Sequence, residues 1–174
     1  MQVELINVFI KAATDVLQSE VGEEASAGSV RVLSSAQTSE EVTVMIGVSG
    51  DVRGMVLLGM SERTAKAIVS RMMDEPCPLF DELAQSGIAE MGNVITGIAT
   101  QGLEAHGFSV TISPPALISG GPGIMISTIN FRRFVVPLKC SVGDLTLHAA
   151  IEVAPQCTMP VNSHHAATPA ARPS

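Results

Sequence analysis

The chain has 174 residues, a length that suits one domain with a single hydrophobic core. Hydrophobic residues make up 46% of it and aromatic residues only 3%, so we expect an aliphatic core and no surface that stacks nucleic-acid bases. The formal net charge of −7 also argues against binding to phosphate backbones or to anionic membranes.

The cysteines and the apolar runs indicate the compartment. Cys77, Cys140 and Cys157 show no Cys-x-x-Cys spacing, which predicts reduced thiols rather than a disulfide framework. The first residues lack the basic stretch and apolar run of a secretory signal, and no apolar run is long enough to span a bilayer. We therefore expect a cytoplasmic protein that does not insert into membranes and has no nucleic-acid partner.

The first half of the chain predicts one helix followed by three strands. Apolar residues recur with helical spacing over residues 3–21. A first strand begins at Val30, and alternating apolar residues predict a second strand over 42–48. A turn at Ser49-Gly50-Asp51 leads into a third strand over 53–60.

Two further helices are predicted in the middle of the chain. Ser61 is typical of a helix N-cap, and the helix that follows it ends before Asp74. Pro78 is positioned to open a much longer helix, which runs to about His106. Gly107 is suited to end that helix.

Three more strands are predicted in the second half. Apolar residues alternate over 108–112, 134–140 and 145–153. Gly143-Asp144 is predicted to form the tight turn between the last two strands. Pro137 indicates an edge or bulged position, because proline has no N–H to donate to a neighbouring strand.

The two halves resemble each other, which indicates an internal duplication. Glu4-Leu-Ile-Asn7 matches Glu90-Met-Gly-Asn93, and each half has the order helix, strand, strand, strand. Such halves can place long helices on one continuous antiparallel sheet, an α+β fold. We assign residues 1–153 to this domain and predict a disordered tail over 154–174, where Pro, Ala, Ser and His dominate.

The long helix predicted from Pro78 to about His106 carries a polar face with an unusual composition. At about 100° per residue, Ser86, Glu90 and Asn93 fall on one side, and Gly97, Gln101 and Glu104 continue it. The opposite side, predicted to be buried, carries Ile88, Met91, Ile95, Ile98 and Leu103.

This polar pattern resembles the signature of the CheC/CheX/FliY phosphatases of bacterial chemotaxis. Ser86, Glu90 and Asn93 match the Ser/Asp-x-x-x-Glu-x-x-Asn part of that signature, and Pro115 follows near its proline. The segments Val136-Pro-Leu-Lys and Gly143-Asp144 are also similar to this family. One complete motif beside a degenerate first copy is more similar to the CheX branch than to the CheC branch.

The resemblance implies a CheC/CheX-like fold, a homodimer and a phosphorylated CheY-like receiver domain as the substrate. It implies no cofactor or metal of the chain's own, since the Mg²⁺ of the reaction belongs to the receiver. An aspartyl phosphate is already activated, so a helper protein mainly positions water and stabilises charge. This chemistry needs no nucleophilic side chain from the helper.

The resemblance and the residue types together predict a role for each residue of the face. Asn93 is expected to hold the attacking water, and Glu90 to form a salt bridge with a basic residue of the receiver. Ser86 is a supporting polar residue, because no His and acid accompany it as a nucleophile's partners. Gly97 lets the partner's backbone approach closely. Glu4 and Asn7 are interpreted as a structural relic.

Two other interpretations fit the same residues. In the first, the chain is a non-catalytic CheX-like module that binds a receiver domain, a flagellar-motor component or CheD without hydrolysis. In the second, it is a structural dimerisation domain.

No metal site is predicted from the histidines. His164-His165 lack a third ligand. His148 alternates with Leu145 and Leu147, which predicts a surface or interface position.

Overall fold

A computed structural model describes residues 2–22, 24–33, 40–120 and 132–155. The helices are α1 (Gln2–Val16), which continues as a π-helical turn (Leu17–Val21), α2 (Glu62–Met73) and α3 (Glu82–Ala105). The strands are β1 (Ser26–Ala27), β2 (Arg31–Leu33), β3 (Val42–Gly50), β4 (Val52–Met60), β5 (Val110–Ile112), β6 (Ala116–Ser119), β7 (Arg133–Cys140) and β8 (Gly143–Val153).

All described strands join one antiparallel sheet. The order is β1-β7-β8-β4-β3-β5, with β2 beside β1 on β7 and β6 beside β5 on β3. The short strands of each half therefore pair with a long strand of the other half, and the order has the same pattern from either edge. The predicted fold, two related halves with helices on one antiparallel sheet, is confirmed.

The helices α1 and α3 lie side by side on one face of this sheet. A Cβ added at Gly102 would come within 2.5 Å of Val8 Cγ1, so α1 and α3 touch closely at this point. The core between helices and sheet is aliphatic, as the composition predicts. Its largest fully buried members include Phe9, Ile6, Leu17, Ile46, Met60, Ile68, Ile88, Met91, Leu103 and Leu138.

The long helix begins later than predicted. Pro78 lies in the preceding loop, and α3 starts at Glu82 with Asp81 as its N-cap. The Asp81 carboxylate accepts a hydrogen bond of 3.0 Å from the Ala84 backbone N–H, which satisfies one free donor of the first turn. The other end agrees with the prediction, since α3 ends before Gly107, whose φ is +86°.

The turns of the second half also differ from the prediction. The turn between β7 and β8 is Ser141-Val142, and Gly143 is already the first residue of β8. The strand β6 follows directly after Pro114-Pro115, where the sequence predicts only the end of a strand. Because β6 is short and pairs with the distant β3, the local pattern does not reveal it.

Pro137 lies where the sheet tolerates proline. It faces the gap between β1 and β2, and its carbonyl accepts a 2.8 Å hydrogen bond from the Gly28 N–H. In an antiparallel strand the N–H and C=O of one residue point toward the same neighbouring strand. An N–H at position 137 would therefore have pointed into the gap between β1 and β2, where the sheet tolerates its absence.

The middle of the sheet is also buried on the face away from the helices. Leu147 and Ala149 belong to the core under the helices, so His148 between them points to the opposite face. Its exposed fraction is 5%, which makes the predicted surface or interface position wrong. Burial and then the nearby Arg133 and Arg31 lower the pKa of His148 to about 4.

The predicted tail lies largely outside the described residues. Ala154 follows β8 and donates a 2.8 Å hydrogen bond to the Asp51 carbonyl. Residues 156–174, which include His164-His165, are not described, so the disordered tail stays a prediction. In the described part of the chain, no helix combines the length and the apolar character needed to cross a membrane.

Candidate functional site

The helix α3 is held firmly against the sheet, which fixes the direction of its outer face. A stripe of buried residues lies on the inner side, and the capped first turn anchors the N-terminal end. The Gln85 side chain adds a 3.1 Å hydrogen bond from Nε2 to the Phe80 carbonyl. The buried stripe includes Ala84, Ile88, Met91, Ile95, Ala99 and Leu103.

Gly92 sets the distance between α3 and the sheet at the level of the site. A Cβ added at Gly92 would lie 2.7 Å from Val44 Cγ1, on the neighbouring strand β3. Only glycine therefore allows this close contact. Because Gly92 directly precedes Asn93, the contact also fixes how far the Asn93 side chain lies from the sheet.

The predicted site residues share one accessible face of α3. Ser86 and Glu90 are exposed, whereas Asn93 and Gly97 are partly exposed. Within the described part of the chain, no hydrogen bond or ion pair engages the side chains of Ser86, Glu90 or Asn93. The carboxylate and the amide are thus available to another molecule.

The surface beside Asn93 is open. A Cβ added at Gly97 would meet no atom of the described residues within 4 Å, so these residues leave the space above Gly97 open. Ile98, which the helical pattern places on the buried side, is 40% exposed, and this part of the prediction is wrong. Ile98 lies at the margin between the two faces, next to the partly exposed Val94.

The first copy of the motif lacks this open space. Glu4 and Asn7 are exposed on α1, but Lys11 occupies the position that Gly97 has in the second copy. The Lys11 ammonium pairs with Asp15 one turn further along α1. This geometry is consistent with the interpretation of the first copy as a relic.

The charged residues of the helix that carries the site all have the same sign. The sequence contains no lysine or arginine between Arg71 and Arg132. The three charged residues of α3, Glu82, Glu90 and Glu104, are all exposed. Among the described residues no group of three or more His, Cys, Asp or Glu side chains is arranged to hold a metal ion.

The sequence prediction missed an apolar surface next to the site. Leu83 on α3 is 62% exposed, and Leu79 in the preceding loop is 70% exposed. Leu83 lies about one turn before Ser86, so the same helical spacing that selected the polar residues also indicates its exposure.

Comparison with solved structures defines the class of protein. A CheC-like superfamily protein from Shewanella sp. PV-4 superposes with a TM-score of 0.79 at 22% identity, over 87% of this chain and 99% of that one. The CheX–CheY–BeF3–Mg²⁺ complex from Borrelia burgdorferi contains a chain that matches with a TM-score of 0.73 at 27% identity, over 84% of this chain and 97% of that one. The chain therefore shares the fold of these two chains.

Sequence comparison narrows this class to one family. The family described as "Chemotaxis phosphatase CheX" matches residues 42–139, a range that contains Ser86, Glu90, Asn93 and Gly97. A Thermotoga maritima protein named CheY-P phosphatase CheX is 28% identical over 158 residues, which cover 87% of this chain and 98% of the relative. The chain belongs to the CheX family of chemotaxis phosphatases.

Proposed function

We propose that this protein accelerates hydrolysis of the aspartyl phosphate on a CheY-like receiver domain. The observation that carries the proposal is the partly exposed, unengaged amide of Asn93 beside the exposed, unengaged carboxylate of Glu90. Family membership supports it, since the Thermotoga maritima relative is named a CheY-P phosphatase and the Borrelia burgdorferi relative is found in complex with CheY.

Asn93 has the role of holding the attacking water. A carboxamide is too weak a base to take a proton from water, but it both donates and accepts hydrogen bonds. It can therefore orient a water molecule in line with the phosphorus–oxygen bond that breaks. For an activated phosphoryl group, positioning of this kind is most of the catalytic task.

Glu90 has the role of docking the receiver. It lies one helical turn before Asn93 and has no partner of its own among the described residues. A salt bridge with a basic residue of the receiver would align the two molecules at the reacting group. The Mg²⁺ that neutralises phosphoryl charge belongs to the receiver in this proposal, and the chain contributes no metal or cofactor.

Ser86 and Gly97 complete the docking face. Ser86 offers an exposed hydroxyl one turn before Glu90, and Gly97 leaves open space one turn after Asn93. The proposal also takes the chain as a cytoplasmic protein and, as the family resemblance implies, as a homodimer. CheD is a further partner in this proposal.

The test compares two asparagines of the same motif. Asn93→Ala is expected to slow phosphate loss from a phosphorylated CheY-like receiver by about 100-fold relative to wild type, because the water loses its orienting group. Asn7→Ala removes the corresponding asparagine of the first motif copy, which is exposed on α1, and is the matched control. Receivers phosphorylated with acetyl phosphate supply the substrate, and thermal unfolding of both variants verifies the fold.

The outcomes separate the proposal from its alternatives. Acceleration that persists in Asn93→Ala, or that falls equally in Asn7→Ala, contradicts the assigned role of Asn93. Binding of the phosphorylated receiver without any change in its lifetime, already in the wild-type protein, indicates the non-catalytic module instead.

A further inference from the structure

An apolar groove lies between the end of α2 and the start of α3. It has a volume of about 220 Å³ and is lined among others by Val69, Met73, Cys77, Leu79 and Leu83. Met73, Leu79 and Leu83 are 43%, 70% and 62% exposed. Single exposed apolar residues are ordinary on a surface, but a contiguous group around a groove is typical of a protein interaction site.

The groove is continuous with the proposed docking face. Leu83, Ser86 and Glu90 are exposed on the same side of α3. Seven residues separate Leu83 from Glu90, which corresponds to about 10 Å along the helix axis. A small domain is about 30 Å across, so a receiver seated on Glu90 and Asn93 also reaches Leu83.

The charges beside the groove restrict the chemistry of its occupant. Asp74, Asp81 and Glu82 are exposed around it, and the chain has no lysine or arginine from Met72 to Phe131. An acidic partner surface would meet uncompensated repulsion here. A basic surface is attracted, and the attraction speeds its association.

We infer that the groove is a second anchor for the receiver, separate from the reacting group. One apolar side chain of the receiver enters between Leu79 and Leu83, and lysine or arginine residues around it face Asp81 and Glu82. This inference rests on the proposed function, because it takes the receiver as the partner. In this arrangement Glu90 and Asn93 act on the phosphoryl group, while the groove contributes affinity and specificity.

The first experiment separates binding from catalysis. The double variant Leu79→Ala, Leu83→Ala is expected to raise KM for the phosphorylated receiver at least tenfold with kcat within twofold of wild type, because the lost contacts are remote from the phosphoryl group. Both leucines are largely exposed, so the fold is retained. The matched control is Val30→Ala, Val32→Ala, which truncates two exposed residues at β2 and is expected to leave KM unchanged.

The second experiment tests the charge. Glu82→Gln is expected to reduce the association rate of the Mg²⁺–beryllofluoride form of the receiver and to weaken its dependence on salt. Glu24→Gln removes the same charge from an exposed position before β1 and is expected to have no effect.

The results distinguish this inference from the proposed function. If wild-type protein accelerates dephosphorylation and the leucine variant has an unchanged KM, the second anchor is wrong while the proposed function stands. If wild-type protein binds the beryllofluoride form without accelerating hydrolysis and the leucine variant binds at least tenfold more weakly, the anchor stands and the catalytic proposal fails. Absence of binding by wild-type protein contradicts both.

Discussion

Asn93 and Gly97 illustrate two ways in which a single residue can serve a partner. The Asn93 amide is available because no group in the described part of the chain bonds to it. Gly97 provides open space, since no atom of the described residues lies within 4 Å of where its Cβ would be. A partner molecule can therefore form hydrogen bonds with the Asn93 amide and can occupy the space at Gly97.

Substitution of Gly97 is expected to separate stability from activity. Gly97→Ala should raise the free energy of unfolding by about 0.5–1 kcal/mol, because alanine favours helix and the new Cβ meets no atom of the described part of the chain. Gly97→Leu should keep the fold but raise KM for the receiver at least tenfold by blocking close approach. Urea unfolding and steady-state kinetics measure the two effects.

The control for this prediction is another glycine of α3. Gly87→Ala brings its Cβ into ordinary contact with Val69 at 3.5 Å, so it should also stabilise the helix while leaving KM unchanged. An unchanged KM in Gly97→Leu contradicts the assignment of Gly97 to the docking face.

Helical periodicity predicts the site well where residues lie near the centre of a face. Ser86, Glu90 and Asn93 lie near the centre of the outer face, and all three are accessible. Ile98 lies at the margin, where exposure depends on the neighbouring elements rather than on the spacing alone. The sequence therefore predicts the polar residues of the site, but not the apolar surface that borders them.

At the scale of elements, the position of α3 depends on contacts that are distant in the chain. Its start is decided by the Asp81 cap rather than by Pro78, since the carboxylate reaches the free N–H of Ala84. The distance between α3 and the sheet is set by the close contact of Gly92 with Val44 on β3. The Asp81 cap is a local signal that can be read from the sequence. The contact between Gly92 and Val44 can be predicted only when it is known which strand lies beneath the helix.

A larger residue at Gly92 is expected to lift α3 from the sheet. Gly92→Ala should lower the free energy of unfolding by about 1–2 kcal/mol, because overpacking against Val44 outweighs the better helix propensity of alanine. Val44→Ala leaves a cavity and also destabilises. Since the new methyl group fills part of that cavity, the double variant should be more stable than the sum of the two single effects predicts. Additive effects in urea unfolding contradict direct contact.

At the scale of the whole molecule, the repeat in the sequence predicts two similar halves. It does not predict that the short strands of each half pair with a long strand of the other half. The β1 and β2 strands of the first half pair with β7, and β5 and β6 of the second half pair with β3. These strands are short, and β2 is exposed along its length, so no local apolar pattern identifies their partners. These pairings between distant parts of the chain depend on how the whole sheet assembles.

The buried histidine on the far face of the sheet gives the fold a dependence on pH. His148 is 5% exposed, and neither of its ring nitrogens has a hydrogen-bond partner among the residues that the structure describes. Burial and then Arg133 and Arg31 lower its pKa to about 4. Between pH 6.5 and 4 the unfolded chain binds a proton at this residue that the folded protein does not bind. Acidification therefore favours unfolding over this range.

The expected size of this effect is about 2 kcal/mol between pH 6.5 and 5, from the free energy of one pKa unit. His148→Leu removes the titrating group and should flatten the profile over this range, because leucine needs no hydrogen bond in a buried position. Urea unfolding at several pH values measures the slope, and His106→Gln, which replaces an exposed histidine, should retain the wild-type slope. An equal slope in wild type and His148→Leu would mean that His148 is charged in the folded protein, and a buried carboxylate or carbonyl would then have to be its partner.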